Sequence, residues 1–510
     1  MVTEVPSAGG AARGGATLDE ARARLAEHGL AASILGDAST PVRGATHDSR
    51  DVRPGQLFCC LRGAAFDGHR FAASAVADGA AALLVDHDVR RDPAARSGDG
   101  AIEVAQLVVD DTRRAVGPVA SLAWGDPSRS LVTVGITGTN GKTTTAQLVA
   151  RLLDAAGLDA GIVGTLHGAR TTPEAPDLAA VLDGFVVEGR SAAVMEVSSH
   201  ALELHRVDGT RFDVVAFTNL GHDHLDLHGS PEAYFRAKAA LFDASFAPVA
   251  VIAVDDPHGR LLADTVADRA GRDSVRVVEV GAVDVADVRV GADRHAYTWR
   301  GRRVEVPLGG DFNVANSLLA LSIVAELRDA DGEPLDLDRA IAGLGELAPV
   351  PGRFEVVRSD AADERGITVV VDYAHTPDGL EHLLGAARRI AAGRVVAVFG
   401  CAGRRDREKR PAMGAIAGRL ADLAVATSDN PRGEDPSSIL DEVVAGVAPV
   451  DLASVVVEPD RRLAIRRAIE LARPGDVVVV AGKGHERTQD LGDRVVDFDD
   501  REVAREELAR

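Results

Sequence analysis

Cysteine is scarce in this sequence: three residues in 510, two of them adjacent (Cys59 and Cys60). Three thiols can build neither a disulfide framework nor a cysteine-based zinc site, and the expected setting is a reducing cytoplasm. Long apolar runs are also missing. No stretch approaches the ~20 residues that a membrane-crossing helix needs, so membrane insertion is not expected. The opening segment Met1–Gly15 lacks the apolar core of a signal peptide, and residues 1–16 are expected to form a flexible tail. Basic charge is in deficit, with 57 Lys and Arg against 78 Asp and Glu and a net charge of −21. That balance excludes a broad phosphate-backbone surface, and with it nucleic acid as a partner. An anionic metabolite can still bind where backbone amides, metal ions and a few local Arg or Lys outweigh the acidic average. What is present suits a folded protein: 46% hydrophobic and 26% charged residues, in a length that accommodates about three domains.

Short β-branched runs alternate with Ala/Leu-rich amphipathic segments, the pattern of α/β architecture with parallel sheets. Two joints interrupt it. Trp124-Gly-Asp-Pro-Ser128 precedes an apolar run, and Gly345-Glu-Leu-Ala-Pro-Val-Pro-Gly352 breaks any regular element. They divide the chain into an N-terminal α/β domain (17–128), a central P-loop ATPase-like domain (129–348) and a C-terminal Rossmann-like domain (349–510). In the last, strands are expected at Ile367–Asp372, Arg394–Gly400, Leu423–Thr427, Val455–Glu458 and Val477–Ala481, with helices over 377–389, 411–421, 436–447 and 460–472. Ligands of such sheets sit beyond the carboxyl ends of the strands. Polar clusters fall at those ends, among them Asp372–His375, Gly400–Gly403, Thr427–Arg432 and Gly482–Glu486. Any one could be an ordinary loop; four on one edge favour a site.

The central piece carries the plainest chemical signal. Leu131–Thr137 reads as a buried strand and Thr143–Ala156 as a helix, with Gly138-Thr139-Asn140-Gly141-Lys142-Thr143 between them. Strand, glycine turn, Lys-Thr and helix make the context of a phosphate-binding loop. Glycines let backbone N–H groups curl around phosphate oxygens, and the helix N-terminus adds its positive dipole end. Lys142 is placed to reach the β/γ-phosphates and Thr143 to ligate Mg²⁺. The pattern is incomplete, since Ile136 stands where its first glycine belongs. Glu196 and Ser198 end another apolar run, and Asn219-Leu-Gly-His-Asp223-His224-Leu-Asp226-Leu-His228 ends a third. Oxygen and imidazole donors of this kind suit Mg²⁺ or Mn²⁺ beside phosphates. The alternative is a polar loop or helix cap.

In order along the chain, Asp48-Ser-Arg50, Gly138–Thr144, Glu196-Val-Ser-Ser-His200, Asn219…Asp223-His224-Leu-Asp226 and Ala237-Lys238 resemble the ATP-dependent Mur ligases of peptidoglycan synthesis. Asn313-Val-Ala-Asn316, Pro351-Gly-Arg353-Phe-Glu355, Asp372–Pro377 and Gly482-Lys-Gly-His-Glu486 extend the resemblance over nearly the whole chain. Within the family, Thr46–Phe58 and Asp429-Asn-Pro-Arg432 resemble the MurE type, which adds the third amino acid to UDP-N-acetylmuramoyl-L-alanyl-D-glutamate. The second motif marks members that use meso-diaminopimelate in place of L-lysine.

The resemblance implies a cytoplasmic ligase, expected to be monomeric, that uses ATP, two Mg²⁺ ions and an acyl-phosphate intermediate. It places Ser49 and the Ala64-Ala65-Phe66 loop near uridine, and Thr171, Thr172, Ser198 and Arg206 on the sugar-peptide. Leu204 departs from the pattern, since many relatives have Gln there. ATP falls to Gly138, Thr139, Asn140, Gly141, Lys142, Thr143 and Thr144, with Asn316 at adenine, Asp372 at ribose and Arg353 reaching phosphate after the C-terminal domain closes. Thr143 and Glu196 hold the first Mg²⁺, and Glu196, His224 and Lys238 the second. Lys238 is expected as a CO₂-derived carbamate (N6-carboxylysine), because an ordinary ammonium would repel a metal; the alternative is a surface helix lysine. The amino acid falls to Arg405, Asp429, Asn430, Pro431, Arg432, Gly482 and Glu486. Relatives usually read Gly-Cys-Gly-Gly-Asp-Arg-Asp where this chain has Gly400-Cys-Ala402-Gly-Arg404-Arg405-Asp406, a restricted backbone and a reversed charge beside that site. Lysine-adding ligases, folylpolyglutamate synthetase-like ligases and a non-catalytic nucleotide-gated regulator are the competing expectations.

Overall fold

The computed structural model describes residues 14–63, 66–95, 102–221, 223, 225–269, 274–447 and 454–510. Of the expected tail, residues 1–13 lie outside that range. Its last residue is not loose, because Ala16–Thr17 pairs with Pro41–Val42.

The first sheet contains β1 (Ala32–Leu35), β2 (Ala45–Thr46), β3 (Leu57–Cys59), β4 (Ala82–Val85) and β5 (Ala105–Val109), in the order β1-β5-β4-β3-β2. Only β1 runs antiparallel to its neighbour. Two helices, α1 (Leu18–Glu27) and α2 (Thr112–Ala123), cover it.

The second sheet is wholly parallel and follows β6 (Val132–Thr137), α3 (Lys142–Ala156), β7 (Ala160–Val163), α4 (Ala175–Val187), β8 (Ala192–Glu196), α5 (Ser199–Glu203), β9 (Val214–Phe217), α6 (Pro231–Ala239), β10 (Val249–Ala253) and β11 (Arg276–Val280). Its order is β11-β10-β9-β6-β8-β7. The strand β6 thus lies between β8 and β9, and their carboxyl ends bring Thr137, Glu196 and Phe217 to one edge. On α3, Ala146, Leu148, Val149, Leu152 and Leu153 are buried against the sheet, as their spacing dictates. Gly157 closes the helix in the left-handed conformation that glycine adopts without penalty. The reading of the sequence did not anticipate the antiparallel ribbon β12 (Val285–Val290), β13 (His295–Trp299) and β14 (Arg302–Val306), which packs with α7 (Phe312–Glu326) on the α3 side. Helix α4 belongs to two cores. Leu178, Leu182 and Phe185 pack under the second sheet, while Ala175, Ala179 and Ala180 join the core of the first.

The third sheet takes β15 (Glu355–Val356), β16 (Thr368–Asp372), α8 (Pro377–Ile390), β17 (Val395–Phe399), α9 (Lys409–Leu420), β18 (Leu423–Ala426), α10 (Pro436–Val447), β19 (Ser454–Val457), α11 (Arg461–Leu471), β20 (Val477–Ala481) and α12 (Asp500–Leu508). The order is β15-β16-β20-β17-β18-β19, with only β15 antiparallel. All five expected strands form, and cores lie on both faces. Runs such as Val477–Ala481 are continuously apolar because both faces are covered.

Candidate active site

The turn between β6 and α3 is made by Gly138 and Gly141, both at positive φ (144° and 86°). A side chain at Gly141 would collide with the Asn316 amide from α7. Helix α3 begins at Lys142 with Gly141 as its N-cap and no side-chain cap, so its first amides face outward uncommitted to any side chain. Neighbouring strand ends brace the loop. Asn140 donates its N–H to Asn219 Oδ1 at 3.0 Å, Thr218 Oγ1 donates to Asn140 O at 2.6 Å, and the Thr139 N–H meets Asn219 O at 2.9 Å. Lys142 Nζ donates to Gly138 O and Thr139 O, both at 2.8 Å. Burial draws its pKa down, as does Arg353, against the opposing pull of Glu196 and Asp223.

Glu196, 1% exposed, ends β8 beside this loop. Its Oε2 accepts from Thr143 Oγ1 at 2.8 Å, and its Oε1 from the Thr165 N–H at 2.8 Å. Thr143 and Glu196, the residues expected to share the first Mg²⁺, are thus brought within hydrogen-bond distance of each other. Lys238 is not a surface lysine: α6 turns it inward, 1% exposed, with Nζ donating to Gly138 O at 2.8 Å and lying 4.5 Å from the Tyr234 ring centre. Tyr234 is itself tied to Thr139 through a 3.0 Å hydroxyl contact. Burial drives the Lys238 pKa far down, and nearby Lys142 pushes the same way against Asp223. The ammonium form is thereby disfavoured relative to the neutral amine. His224 and the pair Ala64 and Ala65 lie outside the described residues.

The donor set fits the groups expected here. Thr143 and Glu196 offer hard oxygen ligands suited to Mg²⁺. An uncapped helix N-terminus behind a glycine turn suits phosphate. A buried amine whose ammonium form is disfavoured is suited to attack the carbon of CO₂.

On the first-sheet side, Thr172 Oγ1 donates to Glu196 O at 2.9 Å, and the Ser198 N–H returns to Thr172 Oγ1 at 3.1 Å. Thr171 and Thr165 hydroxyls meet at 3.0 Å. Arg206 Nη1 reaches Thr172 O at 3.1 Å and Nη2 pairs with Glu174 at 2.9 Å, while its buried Nε has no partner among the described residues. Glu174 also holds Arg113 of α2 at 2.6 Å, joining the first two domains. Ser49 is half-buried, and Phe66 is 68% exposed, an open aromatic face. Leu204 ends α5 and contributes no side-chain hydrogen bond.

Arg353 donates from Nη2 to Thr143 Oγ1 at 3.3 Å and stacks over Tyr373 with 4.5 Å to the ring centre, so it stands beside the phosphate loop. Asp372, at the end of β16, accepts the N–H groups of Phe354 (2.6 Å) and Ala374 (2.7 Å), which fixes the joint. Burial raises its pKa, and Arg353 opposes this.

Beyond β18 and β20, Asp429 and Asn430 are buried, while the Arg432 side chain is 31% exposed, its Nε 4.0 Å from Asp490 Oδ2. Gly482 has φ of 119°, and a Cβ there would stand 2.8 Å from Asp429 Oδ2. Pro431 is buried and Arg405 is exposed. The Asp429–Arg432 segment does not merely cap α10, for Asp435 does so, accepting the Ser437 N–H at 3.1 Å. Ala402 has no positive φ, so the expected backbone restriction causes no strain there; Arg404 does, at 53°.

Several residues were not singled out by sequence reasoning: Thr165, Thr218, Tyr234, Lys483 and His485. Tyr234 stands four residues before Lys238, one helical turn, and that spacing was the available signal. His485 lies 5.0 Å from Tyr373, and burial, aided by Arg353, lowers its pKa to about 4.

Three domain families match in series: the Mur ligase family catalytic domain over residues 41–123, the Mur ligase middle domain over 136–324, and the Mur ligase glutamate ligase domain over 352–484. The UDP-N-acetylmuramoyl-L-alanyl-D-glutamate--2,6-diaminopimelate ligase of Thermosynechococcus vestitus is 44% identical over 92% of this chain and 93% of its own. The same ligase of Streptomyces coelicolor is 42% identical over 93% and 94%. A solved structure of a ligase of that name superposes with a TM-score of 0.64 at 31% identity, covering 97% and 99% of the two chains. Folylpolyglutamate synthase of Mycobacterium tuberculosis, at 22% identity, 70% and 89% coverage and a TM-score of 0.56, shares the fold. With its three domains in the same order and such identity over nearly its whole length, the chain belongs to the Mur ligase family.

Proposed function

We propose that this chain is the ATP-dependent ligase that joins meso-diaminopimelate to UDP-N-acetylmuramoyl-L-alanyl-D-glutamate in cytoplasmic peptidoglycan precursor synthesis, acting as a monomer. The observation that carries this reading is the likeness to diaminopimelate ligases over more than nine-tenths of the chain. Three buried, unpaired cysteines suit the reducing compartment, and no helix among the described residues is long and apolar enough to cross a membrane.

In this reading the D-glutamate side-chain carboxylate attacks the γ-phosphorus of ATP, ADP departs, and an acyl phosphate forms. The amine at the L centre of diaminopimelate then attacks the acyl carbon, and inorganic phosphate leaves as the amide forms. The chain's contribution is positioning and charge placement, and no side chain becomes covalently attached. Lys142 exchanges its two loop carbonyls for β/γ-phosphate oxygens, while the amides of Gly138–Thr144 surround the phosphates. Thr143 and Glu196 would hold one Mg²⁺, and Glu196, His224 and carbamylated Lys238 a second; bound there, Mg²⁺ offsets the negative charge where carboxylate and phosphate meet. Asn316 holds adenine and Asp372 ribose. Arg353, already beside Thr143, contacts phosphate. Ser49, Ala64, Ala65 and Phe66 hold uridine. Thr171, Thr172, Ser198 and Arg206 hold the sugar-peptide, Arg206 with its spare Nε donor. Arg405 takes one amino-acid carboxylate and Arg432 the other, with Asp429, Asn430, Pro431, Gly482 and Glu486 around the ammonium groups.

The test is product formation. Purified protein with ATP, Mg²⁺, the UDP-dipeptide and meso-diaminopimelate should yield the UDP-tripeptide by mass spectrometry, with equal amounts of ADP and phosphate. ATP cleavage that needs neither of the other two substrates would contradict it.

A further inference from the structure

Lys483 begins the turn after β20 and is fully buried, at 0% exposure. Its Nζ lies 2.9 Å from Glu486 Oε2 and 3.1 Å from Asn430 Oδ1, and Asn430 donates from Nδ2 to the same Glu486 oxygen at 2.9 Å. The Asp490 N–H adds a second donor to Asn430 Oδ1 at 2.9 Å. These contacts fix which way the Asn430 amide faces. They also place both donors on Oε2, so Glu486 Oε1 has no protein donor among the described residues. Burial opposes ionisation of Glu486, but the charge and hydrogen bond of Lys483, with the Asn430 hydrogen bond and nearby His485, hold this carboxyl below its usual range.

A purely structural role would have Lys483 tie the strand ends together, but another residue does that. Arg461, buried in an ion pair with Asp500, donates to Ser428 O at 3.2 Å and to Ala481 O at 2.9 Å, clamping the ends of β18 and β20. The partners of Lys483 are instead two side chains assigned above to the amino acid. Asp429 stands in the same site, and neighbouring carboxyl groups without a counter-charge would resist ionising together.

We propose that Lys483 is a positioning residue for the incoming diamino acid, fixing Glu486 and Asn430 in one orientation as the receptor for an ammonium group of diaminopimelate. The proposal rests on the amino-acid site assigned under the proposed function. Steady-state kinetics of Lys483→Met and Lys483→Gln, with each substrate varied in turn, test it. KM for diaminopimelate should rise about 30-fold or more in Lys483→Met, with KM for ATP and the UDP-dipeptide within about twofold. The acid limb of kcat/KM for diaminopimelate should move to higher pH, because Glu486 loses its counter-charge. Lys483→Gln, which keeps a donor for Asn430, should lose less. Adding Lys483→Met to Glu486→Gln should cost little more than Glu486→Gln alone. Additive losses, equal rises in all three KM values, an unmoved acid limb or unfolding of both variants would overturn the proposal. Wild-type protein without diaminopimelate-dependent turnover would instead overturn the function, and that control is read first.

Discussion

Replacing Arg432 by alanine should lower kcat/KM for diaminopimelate by about 30- to 150-fold and leave the poor use of L-lysine almost unchanged. The two amino acids differ at the far end, where diaminopimelate carries an additional carboxylate. A guanidinium offers that group two parallel donors on a rigid plane, which an ammonium cannot match. Truncating one member of a desolvated charge pair costs about 2–5 kcal/mol. Here the lower half of that range applies, because the Arg432 side chain is still 31% exposed and its contact with Asp490 is long, at 4.0 Å. About 2–3 kcal/mol, at 1.36 kcal/mol per tenfold, gives the stated loss. Arg432→Lys should recover only part of it. Phosphate release and product mass, measured with each amino acid below saturation, supply the comparison. Equal or better turnover of L-lysine by the wild type, or an undiminished preference for diaminopimelate in Arg432→Ala, would refute the reasoning. Attention would then pass to Arg404, which replaces an acidic residue usual in relatives.

Lys142→Ala should lower kcat by at least about 10²–10³-fold, the scale of losing one preorganised electrostatic contact, with an unchanged melting temperature by circular dichroism, since among the described residues Lys142 hydrogen-bonds only to two loop carbonyls. Lys238→Ala should be nearly inactive and partly restored by added formate or acetate. Burial lowers the Lys238 pKa, which favours the amine form that attacks CO₂. Removing bicarbonate should therefore lower wild-type activity, and acidification through that depressed pKa should abolish the dependence as the amine gains its proton. Arg461→Met strands Asp500, which is fully buried, and should cost about 3–5 kcal/mol in urea unfolding.

Hydrophobic patterning made the third sheet legible nearly strand by strand, because runs such as Val477–Ala481 are buried on both faces. The phosphate loop was legible for a similar reason: Gly138, Gly141 and Lys142 act through backbone conformation and local order. The β12–β14 ribbon was not. Val285–Val290 is exposed over most of its length, and His295–Trp299 and Arg302–Val306 alternate over only five residues each, short stretches that a surface loop could equally show. Lys238 illustrates the harder case. Its helix has ordinary spacing, and only the tertiary contact with Gly138 of the phosphate loop decides that it points inward. Lys483 escaped notice because its partners come from two strand ends more than fifty residues apart. The pattern around Arg353 likewise carries no information about its contact with Thr143, a residue more than two hundred positions away.

The most direct test of the ligase mechanism follows oxygen. UDP-N-acetylmuramoyl-L-alanyl-D-glutamate labelled with ¹⁸O in both side-chain carboxylate oxygens is incubated with the protein, ATP, Mg²⁺ and meso-diaminopimelate, and the phosphate is analysed by mass. If that carboxylate attacks the γ-phosphorus and the amine displaces the resulting acyl phosphate, each phosphate carries one ¹⁸O and each UDP-tripeptide amide retains the other. Unlabelled phosphate, or label lost without formation of the tripeptide, would contradict the account.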